Sequence, residues 1–187
     1  MPMIRECVVT TVSAAGRAHI APLGLIEEPG GWILAPFAPS RTLDNLREVP
    51  QAVANYTDDV RIMAGCLTGR REWPLIASDR VAPPRLAAAL SHADMEVIAV
   101  EEHEQRPRFH CRVIHRAMHA PFLGFNRAQA AVLEAAILVS RLSMLPRDKV
   151  EREIAYLQIA VGKTAGVAEQ QAWDWLIEAI RDHYARS

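Results

Sequence analysis

The stretch IRECVVTTVSAAGRAHIAPLGLIE, residues 4–27, is rich in β-branched residues up to Val12 and breaks at Ser13-Ala14-Ala15-Gly16. That composition suits a reverse turn between two strands. Ala18 to Glu27 reads as the return strand, and Glu28-Pro29-Gly30-Gly31 turns the chain again before a third strand, Trp32 to Phe37. Strands joined by turns this short are antiparallel neighbours, because a parallel pair needs a crossover of a dozen or more residues. The stretch therefore decides for an antiparallel meander and against a parallel sheet with crossover helices.

Working outward, Ser40 opens a short helix, Thr42 to Glu48, closed by Val49-Pro50, and Gln51 to Tyr56 reads as a fourth strand. Val60 to Thr68 is ambiguous and reads best as helix. Pro83 to Leu90 starts like a helix with prolines in its first turn. Glu96 to Glu101 and Arg108 to Met118 form a last hairpin around Glu104 to Pro107. After Gly124 the texture changes. Arg127 to Leu145 contains neither Gly nor Pro, a second helical run follows Pro146, and Glu169 to Tyr184 carries Trp173, Leu176, Ile177 and Ile180 at spacings of three and four. The expected organisation is a β-barrel over residues 1–124 and a three-helix C-terminal subdomain over residues 125–187.

Half of the 187 residues are hydrophobic, enough for a sizeable core and against global disorder. The formal charge of −1 shows no basic excess of the kind a nucleic-acid binder carries. Cys7, Cys66 and Cys111 are too few and too scattered for a disulfide framework, which fits a reducing, cytoplasmic setting. The start, MPMIRECVVTTV, lacks signal-peptide architecture, and the longest apolar run, Ala130 to Val139, is broken by Glu134 and too short to span a bilayer. The expectation is a soluble protein without nucleic-acid or membrane partners.

Among candidate sites, SRTLDNLRE, residues 40–48, has two readings. Ser40 suits an N-cap, which makes the segment a capped turn. A helix N-terminus also presents unpaired N–H groups and partial positive charge, and Arg41 beside it adds charge-assisted bonds, which makes it an anion cradle. Asn45 lies one turn on from Arg41 and Thr42 and can face the same spot. His110, His115 and His119, with Cys111, invite a metal reading of RFHCRVIHRAMHA. On a regular strand, however, His110 and His115 point to opposite faces, and no paired-carboxylate pattern supports them, so no metal site is expected. There is no GxSxG nucleophile motif, and Gly30-Gly31 precedes a strand, unlike a dinucleotide or phosphate loop. Trp173 fits the apolar stripe of its helix as a core residue, whereas Trp175 suits an interface or a partly exposed position.

Several of these stretches together resemble a known family. TTVSAAGRAHIAPLGL, Thr10 to Leu25, resembles the first hairpin of flavin reductase-like FMN-binding split barrels. SRTLDN, Ser40 to Asn45, resembles their phosphate-binding segment, and AVANYTDD, Ala52 to Asp59, the strand that follows, with Asn55 in the usual asparagine position. Over nearly its full length, helical tail included, the chain resembles the domain of unknown function 447 family. That family is known from methanogenic archaea and from bacteria with tetrahydromethanopterin-linked one-carbon metabolism. The resemblance implies an antiparallel split barrel with a C-terminal helical subdomain and FMN as cofactor. It implies a phosphate held by Ser40, Arg41, Thr42 and Asn45, and Asn55 as a further cofactor-binding residue. The isoalloxazine would lie along His19, Ile20, Ala21, Pro22, Leu23 and Gly24, with the flavin at a homodimer interface. An oxidoreductase is the enzymatic expectation. A non-enzymatic flavin carrier or scaffold, or a barrel holding heme or a deazaflavin, are the alternatives. Many flavin reductases have a Lys-Asp-Thr core where this chain has Arg41-Thr42, so reductase activity does not carry over automatically. No catalytic side chain is assigned.

Overall fold

The computed structural model describes residues 2–186. Six strands close into an antiparallel barrel in the order β1-β2-β3-β8-β7-β4, with β4 pairing back onto β1. They are β1 (Ile4–Val12), β2 (Ala18–Glu28), β3 (Gly31–Leu34), β4 (Gln51–Tyr56), β7 (Ser91–Glu101) and β8 (Arg108–Met118). A two-stranded arm, β5 (Leu75–Ile76) with β6 (Arg85–Leu86), lies between β4 and β7 in the chain. The helices are α1 (Arg41–Glu48), α2 (Val60–Leu67), α3 (Arg127–Val139), α4 (Arg147–Thr164) and α5 (Val167–Ala185). The chain forms two compact units. One comprises residues through Thr57 with Trp73–Pro121; the other comprises Asp58–Glu72 with the chain from Phe122 onward.

Alternation along the strands builds the barrel core. Cys7, Val9, Leu25, Leu34, Ala54, Ala93, Met95, Phe109 and Cys111 point inward and are buried. The small Ala54 and Ala93 on adjacent strands leave room for large neighbours such as Phe109 and Trp32. Helix α1 adds Leu43 and Leu46 to the same core. Its other inward polar group, Asn45, donates from Nδ2 to Thr11 Oγ1 at 3.0 Å, so the helix is tied to β1 by packing and by one buried hydrogen bond.

Four local expectations change. Pro83 to Leu90 is not a helix. Two consecutive prolines supply no N–H, Leu86 donates its own to Asn55 Oδ1 at 2.7 Å, and Ala87 N bonds to Pro74 O at 2.9 Å. Those tertiary partners outcompete the helical ladder. Strand β3 ends at Leu34, before Pro36, rather than at Phe37. Strand β7 begins at Ser91, five residues before the expected Glu96, because His92 and Asp94 are polar residues inside a strand paired on both sides. Helix α3 stops at Val139, and Leu142–Met144 forms a separate 3-10 turn.

The second unit has its own core, in which Ala128, Ala131, Ala135 and Ala136 of α3 let the helices approach closely around Trp173, Leu176 and Val161. Helix α2 belongs to it through Val60 and Ala64. Trp173 is buried as expected and donates to Gln158 Oε1 at 2.8 Å, whereas Trp175 is half-buried beneath the Arg70 guanidinium, 4.6 Å from its ring centre. Asn126 caps α3, accepting from Ala128 N at 2.7 Å and Gln129 N at 3.3 Å while its Nδ2 donates to Thr164 O. Loss of an N-cap costs about 1–2 kcal/mol. Asn126→Ala should therefore lower the midpoint of urea unfolding by a corresponding amount with little change in slope.

Candidate functional site

Strand β2 pairs with β1 along nearly its whole length, from Ala18 opposite Val12 to Ile26 opposite Ile4. With β3 it pairs only at Ile26, Glu27 and Glu28. Glu27 N donates to Met3 O at 2.9 Å, which sets the alternation of the ladder. Odd-numbered residues of β2 direct their main-chain groups toward β1, and Ile20, Pro22 and Gly24 direct theirs the other way. No strand among the described residues pairs with that side before Ile26. The result is an open strand edge carrying the N–H groups of Ile20 and Gly24 and the carbonyls of Ile20, Pro22 and Gly24. Proline at such an edge forfeits no ladder bond. His19 and Ala21 to Gly24 are half-buried and Ile20 is buried.

The N-terminus of α1, which packs against β1 and β2, holds the second group of expected residues. Ser40 caps the helix, accepting from Leu43 N at 3.3 Å, and its carbonyl receives Asp44 N. Ser40 is thus a structural cap first. Arg41 is exposed and forms no ion pair with any described residue, so its guanidinium is free to meet an anion. Thr42 is buried beside it. These three residues fit a phosphate monoester, with one mobile cation, one hydroxyl and the first helical N–H groups.

The two asparagines also hold the scaffold. Asn45 spends a donor on Thr11. Asn55 is fully buried; its Nδ2 lies 3.0 Å from Val8 O, 2.9 Å from Thr10 Oγ1 and 3.3 Å from Val53 O, while Oδ1 receives Leu86 N. It works as a clamp joining β1, β4 and β6, with no group left over for a ligand. Cys7, behind the open edge, donates its thiol toward Leu23 O at 3.6 Å, and burial pushes its pKa up, so it is an inert core thiol.

The histidine-rich strand corrects one geometric expectation. Phe109 and Cys111 face the barrel core and Val113 packs against it, but a register shift between Asp94 and Met95 makes Ile114 an extra residue on β8. His115 consequently returns to the outer face, the face of His110, instead of the opposite one. The two still diverge. His110 Nδ1 pairs with Glu28 Oε2 at 2.8 Å, and His115 Nε2 lies 3.2 Å from Asp79 Oδ2. Cys111 is inside the barrel, so the ligand set considered from RFHCRVIHRAMHA is not brought together. What the sequence reasoning missed is His92, which stacks on His119 and meets His115 edge-on from the neighbouring strand. Only cross-strand register, invisible in linear spacing, could have pointed to it.

A six-stranded antiparallel barrel with one strand edge left open, joined to a helical unit, defines the split-barrel class to which flavin reductases also belong. Within that class the chain belongs to the family described as "Protein of unknown function (DUF447)", whose N-terminal domain matches residues 5–120 and whose second part matches residues 126–178. An FMN-bound DUF447 protein from Methanosarcina mazei has a similar structure, with a TM-score of 0.83 at 20% identity over 96% of this chain and 96% of that one. The 2-nitrobenzoate 2-nitroreductase of Pseudomonas fluorescens follows with a TM-score of 0.53 at 19% identity, over 64% of this chain and 66% of that one. An NADH:FAD oxidoreductase from Streptomyces globisporus shows 0.51 at 11% identity, over 61% and 70%. No curated protein matches the chain. Identities this low establish a shared fold. Among the described residues, no helix is long and apolar enough to cross a membrane.

The clamp reading of Asn55 has a measurable consequence. A buried polar group stripped of its partner costs about 1–3 kcal/mol. Asn55→Ala strands Leu86 N–H and the acceptors on β1 together, so it should destabilise the protein more than Asn45→Ala, which strands Thr11 alone. Parallel urea titrations of the two variants check the order.

Proposed function

We propose that the chain binds FMN, with the phosphate at Ser40, Arg41 and Thr42 and the isoalloxazine along the open edge of β2 from His19 to Gly24. The observation that carries the reading is that edge. Its carbonyls can accept from the ring N3–H and its N–H groups can donate to ring carbonyls, the complementarity a pyrimidine-like edge requires. Asn55 enters only as a support, holding the barrel wall, whereas Asn45 holds α1 against β1 with one N–H and keeps its second for the phosphate. Bound FMN supplies the electron-transfer chemistry of an oxidoreductase, and the protein positions it. The resemblance extends the proposal to tetrahydromethanopterin-linked one-carbon metabolism. Three buried free cysteines support a reducing, cytoplasmic setting.

A homodimer that covers the flavin is part of the same reading. It is supported by the exposed apolar side chains of the barrel unit, among them Phe37, Ile98, Val100 and Met118. Light scattering should give twice the 20.8 kDa of one chain; a stable monomer with full flavin occupancy would refute this part.

The phosphate contact is tested by Arg41→Ala. Hydrogen bonds to charged groups contribute about 1.5–3 kcal/mol, or roughly one to two decades of affinity. FMN should weaken by that factor in fluorescence titrations, whereas riboflavin, which lacks the phosphate, should lose little. Equal losses for the two ligands, or unchanged FMN affinity, would leave SRTLDN as a capped turn.

A further inference from the structure

On the outer face of the barrel, the side chains of His92 and His115 meet Asp79 from the loop between β5 and β6, and Asp94 lies against His92. His92 and Asp94 have no exposed side-chain surface, yet His92 Nε2 and Asp94 Oδ1 have no hydrogen-bond partner. The two atoms are 3.3 Å apart but not aligned as donor and acceptor. Asp79 Oδ2 lies 3.9 Å from His92 Nε2 and 3.2 Å from His115 Nε2, and one ligand atom from each of Asp79, His92 and His115 falls within 4.8 Å of the others. At its other nitrogen, His92 Nδ1 is 2.9 Å from His119 Nε2. The remaining oxygen of Asp94 accepts from Arg80 N at 3.1 Å.

One carboxylate and two imidazole nitrogens thus converge on a single point, with Asp94 against His92, and His92 and Asp94 are each pinned from behind. We propose that Asp79, His92 and His115 bind a divalent transition-metal ion, with Asp94 beside His92 and His119 orienting His92. A cation resolves the acceptor-against-acceptor contact that hydrogen bonding leaves unresolved. When Nδ1–H of His92 donates to His119, the Nε2 lone pair is left facing two carboxylates, and a metal is the partner that suits all of them. Two imidazoles with a carboxylate form a borderline donor set that suits zinc and also the lighter divalent ions. Ligand atoms around tetrahedral zinc sit roughly 3.3 Å apart, given bonds of about 2.0–2.1 Å. Asp79 Oδ2 already stands at that spacing from His115 Nε2, and a small inward turn of Asp79, which is exposed and on a loop, closes the 3.9 Å gap to His92.

This inference does not rest on the FMN reading. Pro22, Val8, Asn55 and His92 stand in one cross-strand row across β2, β1, β4 and β7. His92 is therefore three strand spacings, about 14 Å of barrel wall, from β2, and His115 on β8 is two, about 10 Å.

The test is calorimetric titration of Zn2+ into the full-length protein after chelation and dialysis. One equivalent per chain with micromolar or tighter affinity is expected. Asp79→Asn and His115→Gln, both at accessible positions, should each weaken zinc at least tenfold while circular dichroism stays as in the parent. His110→Gln, on the same strand but paired with Glu28, should bind as the parent does. Zinc should also raise the melting temperature of the parent and of His110→Gln but not of the other two. Absence of stoichiometric zinc would overturn the site for Mn2+ and Fe2+ as well, since zinc binds a given donor set more tightly than they do. Parent-like affinity in either folded Asp79→Asn or His115→Gln would reduce the cluster to a hydrogen-bonded clamp on the loop. Should one variant fail to fold, the other and the parent stoichiometry decide.

Discussion

The open edge of β2 follows from one imbalance in backbone hydrogen bonding. Strand β2 is long, but its second neighbour, β3, is only four residues. The barrel closes through three residue pairs at Ile26 to Glu28, and the preceding stretch of β2 keeps one side unpaired. Unpaired strand edges are aggregation hazards that proteins shield or use. Here Pro22 removes one donor from the edge, and half-burial of Ala21 to Gly24 keeps it from being a fully solvated ribbon. The edge is neither continuous enough to recruit another sheet nor exposed enough to be left to water alone.

Helix α1 is the counterpart of that edge. Leu43 and Leu46 sink into the barrel core and Asn45 bonds to Thr11, so the helix position is set by groups on its buried side. Ser40 satisfies the Leu43 N–H, and Arg41 emerges at the exposed end with no ionic partner among the described residues. Burial therefore fixes the helix while its first residue stays free, which is what a preorganised anion site needs.

How much of this could be read beforehand depended on whether the signal was local. The hairpin of β1 and β2, the α1 cap, strand β4 and the limits of β8 are carried by turn residues, a capping serine and alternating apolar residues. All four were legible within a dozen residues. The segment Pro83 to Leu90 was misread because its conformation is dictated by Asn55, distant in sequence, which takes the Leu86 N–H. The start of β7 was missed because His92 and Asp94 resemble loop residues until β4 and β8 flank them. Asn45 was legible by helical spacing and Asn55 only through the resemblance, and which atoms they satisfy depends on partners distant in sequence, Thr11 for Asn45 and Val8, Thr10 and Leu86 for Asn55. The facing of His115 turned on one extra residue at Ile114, which parity counting along a regular strand does not register.

These misreadings share a cause. Outward positions of a barrel are ordinarily polar because water meets them, yet here Thr10, Asn55, His92 and Asp94 lie on the outer face and are buried. The polar groups on this face must therefore find partners in protein rather than solvent. Thr10 accepts from Asn55, Asn55 in turn receives the Leu86 N–H, and one oxygen of Asp94 receives the Arg80 N–H. The covering segment thus contributes two backbone donors to the face. It contributes no donor to the remaining nitrogen of His92 or the remaining oxygen of Asp94, and Asp79 adds a further acceptor. With His92 in its Nδ1–H tautomer, a covering loop that brings carboxylate oxygens to the Nε2 lone pair leaves hydrogen bonding incomplete. A positive ion makes the same arrangement consistent.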